Sequence, residues 1–453
     1  MSQASTRTIT NIIKKGYQYV TADIDRALLI LLVFSLPFER IPSFEILQAS
    51  IRPSVIVGII VILRVLYLAV SRRIKLSFNV QEKIILIFLV WLALLIPEAI
   101  NITRAVSVVL FNVFTIVTAI AVSVIFDKKY IKAILYALLI SATLVSAFAI
   151  YQYLGNLYGL PDSLTGIRDM YSWQVFGFPR VNATALEPLY FASYLLLPFS
   201  AATCLYINTE QKLLSHKPAL VLLFLFSFII FLTVSRSAVF GLVAALVFVA
   251  IVHLKGGLSN YKRILAVILV VLLAGGCSQM VVNYLNKPPT NPLSTFNNDE
   301  VGTDAYFTHL RDLSLADNDS RSIARQRAVL LLNENKSAYI VGIGPGQFGP
   351  YTQNNTPDEG KWMIVNNLTL EVLVESGAVG LILVLAFLII LISRGVRLAM
   401  SDKVTSEGVL AIIISMYLVS QAIQYQGFST LYVIYIWVPI GLLLGVIKIK
   451  PRV

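Results

Sequence analysis

Twelve apolar runs recur along the chain, centred on residues 27–38, 54–70, 83–97, 103–126, 130–154, 185–207, 218–234, 237–254, 263–285, 367–393, 408–426 and 429–447. A run of about 20 mostly apolar residues is the length that crosses the hydrocarbon of a bilayer as a helix, and inside lipid a helix satisfies the backbone groups of its own segment. The first run is short, interrupted by Pro37 and Glu39. Charged residues make up only 13% of the chain, against roughly 25% in soluble domains. The expectation is an all-α polytopic membrane protein with about 12 transmembrane helices.

Lys and Arg give the runs their sides. With the N-terminus cytoplasmic, alternate connections carry Arg72, Arg73 and Lys75; Lys128, Lys129 and Lys132; Lys212 and Lys217; Lys255, Lys262 and Arg263; Arg394, Arg397 and Lys403; and Lys448, Lys450 and Arg452. All six are basic clusters, as the positive-inside rule requires. The net charge of +12 then belongs to loops that meet anionic membrane lipid, and nucleic acid is not an expected partner. The N-terminal segment has no apolar core followed by a small-residue cleavage site, so no removable signal peptide is expected. Cys204 and Cys277 sit in apolar runs with neither disulfide nor metal spacing. The division that follows is a cytoplasmic segment 1–26, transmembrane helices 1–9 over 27–285, a large extracytoplasmic loop 286–366, helices 10–12 over 367–447, and a cytoplasmic tail 448–453.

The large loop holds nine acidic residues against seven basic ones and is too long for a plain connector. It opens on NKPPTNPLSTFNNDEVGTDAYF, rich in Pro and Asn and read as irregular. Further on, Ile323, Ala324, Arg327, Ala328, Leu331 and Leu332 recur at helical spacing behind Ser320 as a candidate N-cap. The loop is therefore expected to be partly helical, with Arg321 and Arg325 one turn apart. Gly342, Gly344 and Gly346 around Pro345 make a tight turn whose backbone amides either face an anion or serve the turn alone. With no Lys after it and no strand before it, this is not a nucleotide-binding loop. On the same outer side lie Arg180 and Glu187 in GFPRVNATALEP, and Arg236 in TVSRSA. Arg236, held between two apolar runs, is a functional-site candidate by its depth, with snorkelling to headgroups as the alternative. Arg180 is open to the further reading of a solvated loop arginine.

Arg180 ahead of a helix, SRSA after one, an outer loop with Arg325 and GIGPGQF, and then NNLTLEVLVESGAVG follow one another in an order that resembles the O-antigen ligase and O-antigen polymerase superfamily, over about Gly177 to Leu383. The ligase pattern of that family is His, then Asn, Ser or Gln, nine residues, Gly, two residues, and Gly, Thr or Tyr. Asn367, the nine residues after it, Gly377 and Gly380 keep this frame, and Asn366 stands where the His would. The resemblance implies a glycosyltransferase without a cofactor. It would transfer or polymerise glycan from an undecaprenyl-diphosphate-linked donor to a glycan, lipid or protein acceptor, on the outer face of the bacterial cytoplasmic (inner) membrane, for surface polysaccharide assembly. It assigns the donor diphosphate to Arg180 and Arg236, whose planar forks suit a leaving group that gains charge as the sugar bond breaks. No metal is expected, because no carboxylate cluster or Asp-x-Asp lies on the outer side.

Asn366 can hydrogen-bond an acceptor but cannot take its proton. Either Glu187, Glu371, Asp319 or His309 activates the acceptor, or the leaving group is good enough to need no strong base. If one helix runs from Asn367, then Asn367, Glu371 and Ala378 share a face with Glu375 beside them. Two carboxylates one turn apart repel unless a guanidinium lies near, and Arg325 or Arg321 is the expected supplier. Glu371 and Glu375 are read first as docking points for the loop, and Glu371 second as a base. The candidate set is thus Asn366, Asn367 and Glu371 as catalytic, Arg180 and Arg236 on the donor, and Glu187, Arg325, Gly344 and Gly346 in support; polar residues that only mark the membrane boundary are the bland alternative. A lipid-linked oligosaccharide flippase, another transporter, or a scaffold without activity are the competing classes. Transporters tend to have similar halves and polar residues at mid-membrane, whereas Arg64 is the main internal charge here.

Overall fold

The computed structural model describes residues 24–40, 44–46, 49–208, 214–254, 258–287, 320–358, 361–401 and 405–450. Each of the twelve apolar runs is a helix: α1 (24–35), α2 (Pro53–Val70), α3 (Val80–Leu94), α4 (Ile102–Ile125), α5 (Ile131–Leu157), α6 (Pro188–Ile207), α7 (His216–Leu232), α8 (Arg236–Leu254), α9 (Leu258–Leu285), then, after the loop helix α10 (Ser320–Glu334), α11 (Leu368–Ser401), α12 (Ser406–Gln424) and α13 (Ile434–Ile449). Among the described residues nine are long and apolar enough to cross a membrane, while α7 and α13 are shorter apolar helices of 17 and 16 residues. The chain is an all-α polytopic membrane protein. A small antiparallel pair, β1 (Phe44–Ile46) with β2 (Ala49–Ile51), lies between α1 and α2.

Helices that are apolar all round have two places to go, the middle of a bundle or its lipid-facing rim. Almost every side chain of α6, α12 and α13 is buried. Around this centre α13 packs on α4, α8 on α12, α6 on α7 and α12, and α11 on α3 and α12. Small residues let backbones close up, as lipid-embedded packing demands: a Cβ on Gly441 would strike the Ala119 carbonyl, and one on Gly445 would strike Phe126. The rim helices turn Leu63, Val243, Leu269, Leu272 and Ile389 outward, a surface too apolar for water and suited to lipid.

At one end of the bundle Lys448 pairs with the buried Glu82 at 2.6 Å, and Ser123 bonds both. The loop lies at the other end. There Ala324, Ala328 and Leu332 of α10 form a second small core with Ile343, Phe348, Val365 and Val374. This stripe is narrower than the sequence suggests: Ile323 and Arg327 face outward, because α10 rests on α11 along its alanines, which leaves no depth for the longer side chains. The Pro- and Asn-rich start of the loop, with His309 and Asp319, lies outside the described residues.

Candidate functional site

The segment ahead of α6 is held by buried polar contacts. Gln152 Oε1 accepts the amides of Asn182 and Ala183 at 3.0 and 2.9 Å, which fixes Ala183 in the left-handed region at φ 46°. Thr184 donates to the Pro37 carbonyl at 2.6 Å. So anchored, Arg180 reaches across to the turn between α7 and α8, donating Nη2 to the Val234 carbonyl at 3.2 Å and Nε to that of Thr233 at 3.4 Å. These carbonyls sit at the C-terminus of α7, the negative end of its dipole. Val234 itself has φ 51°, a strained conformation for a β-branched residue of the kind that clusters at functional sites.

The Arg180 guanidinium lies 5.8 Å from the Tyr171 ring centroid and 5.2 Å from that of Phe176. Burial pushes its pKa down to about 10, with Tyr171 and Glu187 opposing the shift and Arg321 and Arg236 adding to it, so Arg180 stays charged at neutral pH. Burial likewise pushes Tyr171 up to about 12. Arg168 also stacks on Tyr171, 5.8 Å from its ring centroid. Arg180, Arg236, Arg321 and Glu187 therefore share one electrostatic neighbourhood.

The 425–429 turn joins this neighbourhood to the start of α11. Gly427 abuts Ser237, the residue after Arg236. Arg325 Nη2 donates at 3.2 Å to the carbonyls of both Asn366 and Gln426, and Asn367 Nδ2 donates to Gln426 at 3.1 Å. Asn367 Oδ1 accepts the Leu370 amide at 2.9 Å, the work of a helix N-cap. Asn366 is left-handed, φ 57°, with its N–H on Ser429 at 3.0 Å. Below Asn367 and Gln426, Leu368, Phe387, Leu418, Tyr425 and Trp437 line a small apolar cavity.

Glu371 and Glu375 depart from expectation. Residues 368–401 do not form one regular helix: Gly377 breaks it, at φ 67° and ψ −175°, so Ala378 does not continue the face of Asn367 and Glu371. The carbonyls freed at the break are taken by the loop and by α3: Val374 by the Ile343 amide at 2.9 Å, Glu375 by the Gly344 amide at 3.0 Å, and Ser376 by Trp91 Nε1 at 2.8 Å. The backbone amides of the glycine turn are taken by the Glu375 side chain, which accepts from the Gly346 amide at 2.7 Å and the Phe348 amide at 3.3 Å. Glu371 accepts the Val365 amide at 3.4 Å. The guanidinium acting on both carboxylates is Arg104, in the first turn of α4, rather than Arg321 or Arg325; it is fixed by Nε on the Gly346 carbonyl at 2.6 Å and lies 5.3 Å from the Trp362 ring centroid.

Of the sequence candidates, Arg180, Arg236, Glu187, Arg325, Asn366 and Asn367 thus gather around one surface, and Glu371, Glu375, Gly344 and Gly346 form the tether beneath it. Tyr171, Arg104, Gln426 and Ser429 carry no motif; the one trace they leave in sequence is a polar or aromatic residue at the loop end of a helix. Among the described residues no three His, Cys, Asp or Glu side chains gather to hold a metal ion.

Arginines gathered at one end of a helical membrane protein mark a candidate functional site. Residues 221–385 match the family described as O-antigen ligase, which identifies an O-antigen ligase domain and supports membership of the O-antigen ligase/polymerase superfamily. The matched stretch runs from α7 into α11 and includes Arg236, the glycine turn and Asn366; Arg180 precedes it. The match supports an O-antigen ligase-type membrane enzyme in general, a family that implies a lipid-linked glycan substrate and an acceptor. No curated protein matches the chain.

Proposed function

We propose that this protein transfers or polymerises glycan from an undecaprenyl-diphosphate-linked donor, on the outer face of the bacterial cytoplasmic membrane, onto a glycan, lipid or protein acceptor. The observation that carries the reading is the convergence of Arg180, Arg236 and Arg321 on one surface bordered by Arg325, Asn366 and Asn367. Arg180 and Arg236 hold the diphosphate, whose negative charge grows as the glycosidic bond breaks. In a site poor in water their charge-assisted hydrogen bonds stabilise that change more than bulk solvent does. Glu371 and Glu375 act as tethers that keep the loop over the site, since both carboxylates are engaged by backbone amides.

The topology that goes with this has both termini cytoplasmic, twelve spans and residues 286–366 outside, as the six basic connections favour. The reaction needs no metal. Purified protein in liposomes loaded with lipid-linked glycan tests the reading: transfer consumes the glycosidic bond to the carrier, with or without a chelator. A flippase, the competing reading, would move the lipid across the bilayer and leave that bond intact.

A further inference from the structure

We propose that Glu187 is the base that takes the proton of the acceptor hydroxyl, the task for which Asn366 has no basic atom. The inference rests on the glycan-transfer reading above. Glu187 is the carboxylate that acts on Arg180, and it precedes α6 as the N-cap residue with extended backbone, φ −144° and ψ 157°. The residue before it is held at both ends: the Leu186 N–H donates to Glu39 at 3.4 Å, and its carbonyl accepts Arg168 Nη1 at 3.1 Å. Pro188 follows and fixes the entry to the helix. The chain on either side of Glu187 is therefore held, and its half-buried carboxylate receives no hydrogen bond among the described residues.

Among the described residues its rivals are committed elsewhere. Glu39 is 2% exposed and lies 3.6 Å from Arg52. Glu375 fills the glycine turn, and Glu371 accepts the Val365 amide, facing a cleft it shares with Asn112, Leu92 and Tyr432. An acceptor base should stand within reach of the attacking oxygen and beside the leaving group's anchor; the residues flanking Glu187 reach that anchor, Leu186 through Arg168, which shares the Tyr171 ring with Arg180, and Tyr190 through an edge-on contact with Phe428 of the 425–429 turn. In the step proposed, the acceptor oxygen forms a bond to the anomeric carbon of the donor sugar. The bond from that carbon to the diphosphate oxygen breaks, and its electron pair leaves with the diphosphate between Arg180 and Arg236. The hydroxyl proton passes to the Glu187 carboxylate and from there to water.

The experiment compares E187Q and E187D with wild type in the liposome assay, measuring kcat, the KM for lipid-linked donor, and donor binding in the absence of acceptor. A lost general base lowers kcat by roughly 10²–10⁴-fold with donor KM and binding unchanged, so E187Q should do this and E187D should recover part of the rate. An E187Q variant within about tenfold of wild type overturns the assignment. So does a loss of donor binding alongside kcat, or an E187D variant as slow as E187Q, either of which makes Glu187 structural. Wild-type protein that leaves the lipid-linked glycan intact removes the transfer reading and Glu187 with it, a result distinct from an active wild type with an active E187Q.

Discussion

Replacing Glu375 by Ala removes the acceptor of two backbone amides, those of Gly346 at 2.7 Å and Phe348 at 3.3 Å. The turn from Ile343 to Pro350 is buried, so water is poorly placed to substitute. A buried donor left without a partner costs about 1–3 kcal/mol. With one short and one long bond lost, the turn should weaken by about 2–4 kcal/mol. Every 1.4 kcal/mol is a factor of ten, so the turn should open roughly 30- to 700-fold more often. Hydrogen exchange of the Gly346 and Phe348 amides reads this directly, and trypsin cleavage at Arg325 or Arg327 reports whether the loop helix loosens with it. Glu375→Gln keeps one carbonyl acceptor and should fall between Ala and wild type. Transfer should drop in step with protection, because Arg325 is carried on the same loop. Unchanged exchange in Glu375→Ala would refute the amide cradle. In the companion variant Glu371→Gln, a lost rate with the loop still protected would make Glu371 a base instead of a tether.

Arg180→Ala and Arg236→Ala should each lower transfer by roughly 10²–10³-fold, the effect of removing one stabiliser of developing charge, while membrane insertion is kept. Lys at either position should restore little, having the charge without the fork; full activity of Arg236→Ala would leave only the snorkelling reading. Cysteine at the exposed Thr356 should react with an impermeant thiol reagent on intact cells, and labelling only after the membrane is opened would invert the topology. Burial raises the Glu39 pKa above its ordinary value of 4.5, with Arg52 opposing the shift, so the stability it contributes is present below 4.5 and lost as pH rises through the raised folded value. Thermal melts should therefore show wild type gaining on Glu39→Gln as pH falls from neutral to about 4.5, with no further gain below; a difference independent of pH would exclude the linkage.

The spans are legible because a bilayer imposes its thickness on each of them separately, and each apolar run is a helix. What joins the helices is less so. Nothing in ESGAVG distinguishes Gly377 from a glycine tolerated inside a membrane helix; the break follows from a loop segment that supplies amides to Val374 and Glu375 and leaves no room for a Cβ at Gly342 or Gly377. Arg104 reads as an unremarkable first-turn residue of α4, yet it is the countercharge to Glu371 and Glu375. Its role depends on the packing of α4, α11 and the glycine turn together, which spacing along the chain does not encode. The arginines are intermediate: their order and flanks suggest a shared side, while the stacking of Arg180 on Tyr171 depends on how the segment ahead of α6 folds back.

Asn366 links these two levels. At φ 57° it needs a residue that tolerates the left-handed region, and Asn does so better than most. Its side-chain Nδ2 donates to the Ile364 carbonyl at 3.1 Å, its N–H to Ser429 and its carbonyl accepts Arg325. The residue thus acts through the backbone, turning the chain into α11 and fastening the loop helix to the 425–429 turn. A side chain with those duties is held by its own turn and is not free to meet an acceptor oxygen as a base does. Proton transfer is then expected from a group whose backbone is fixed by other residues and whose side chain is not consumed in fixing it. Glu187, at the start of α6, meets both conditions.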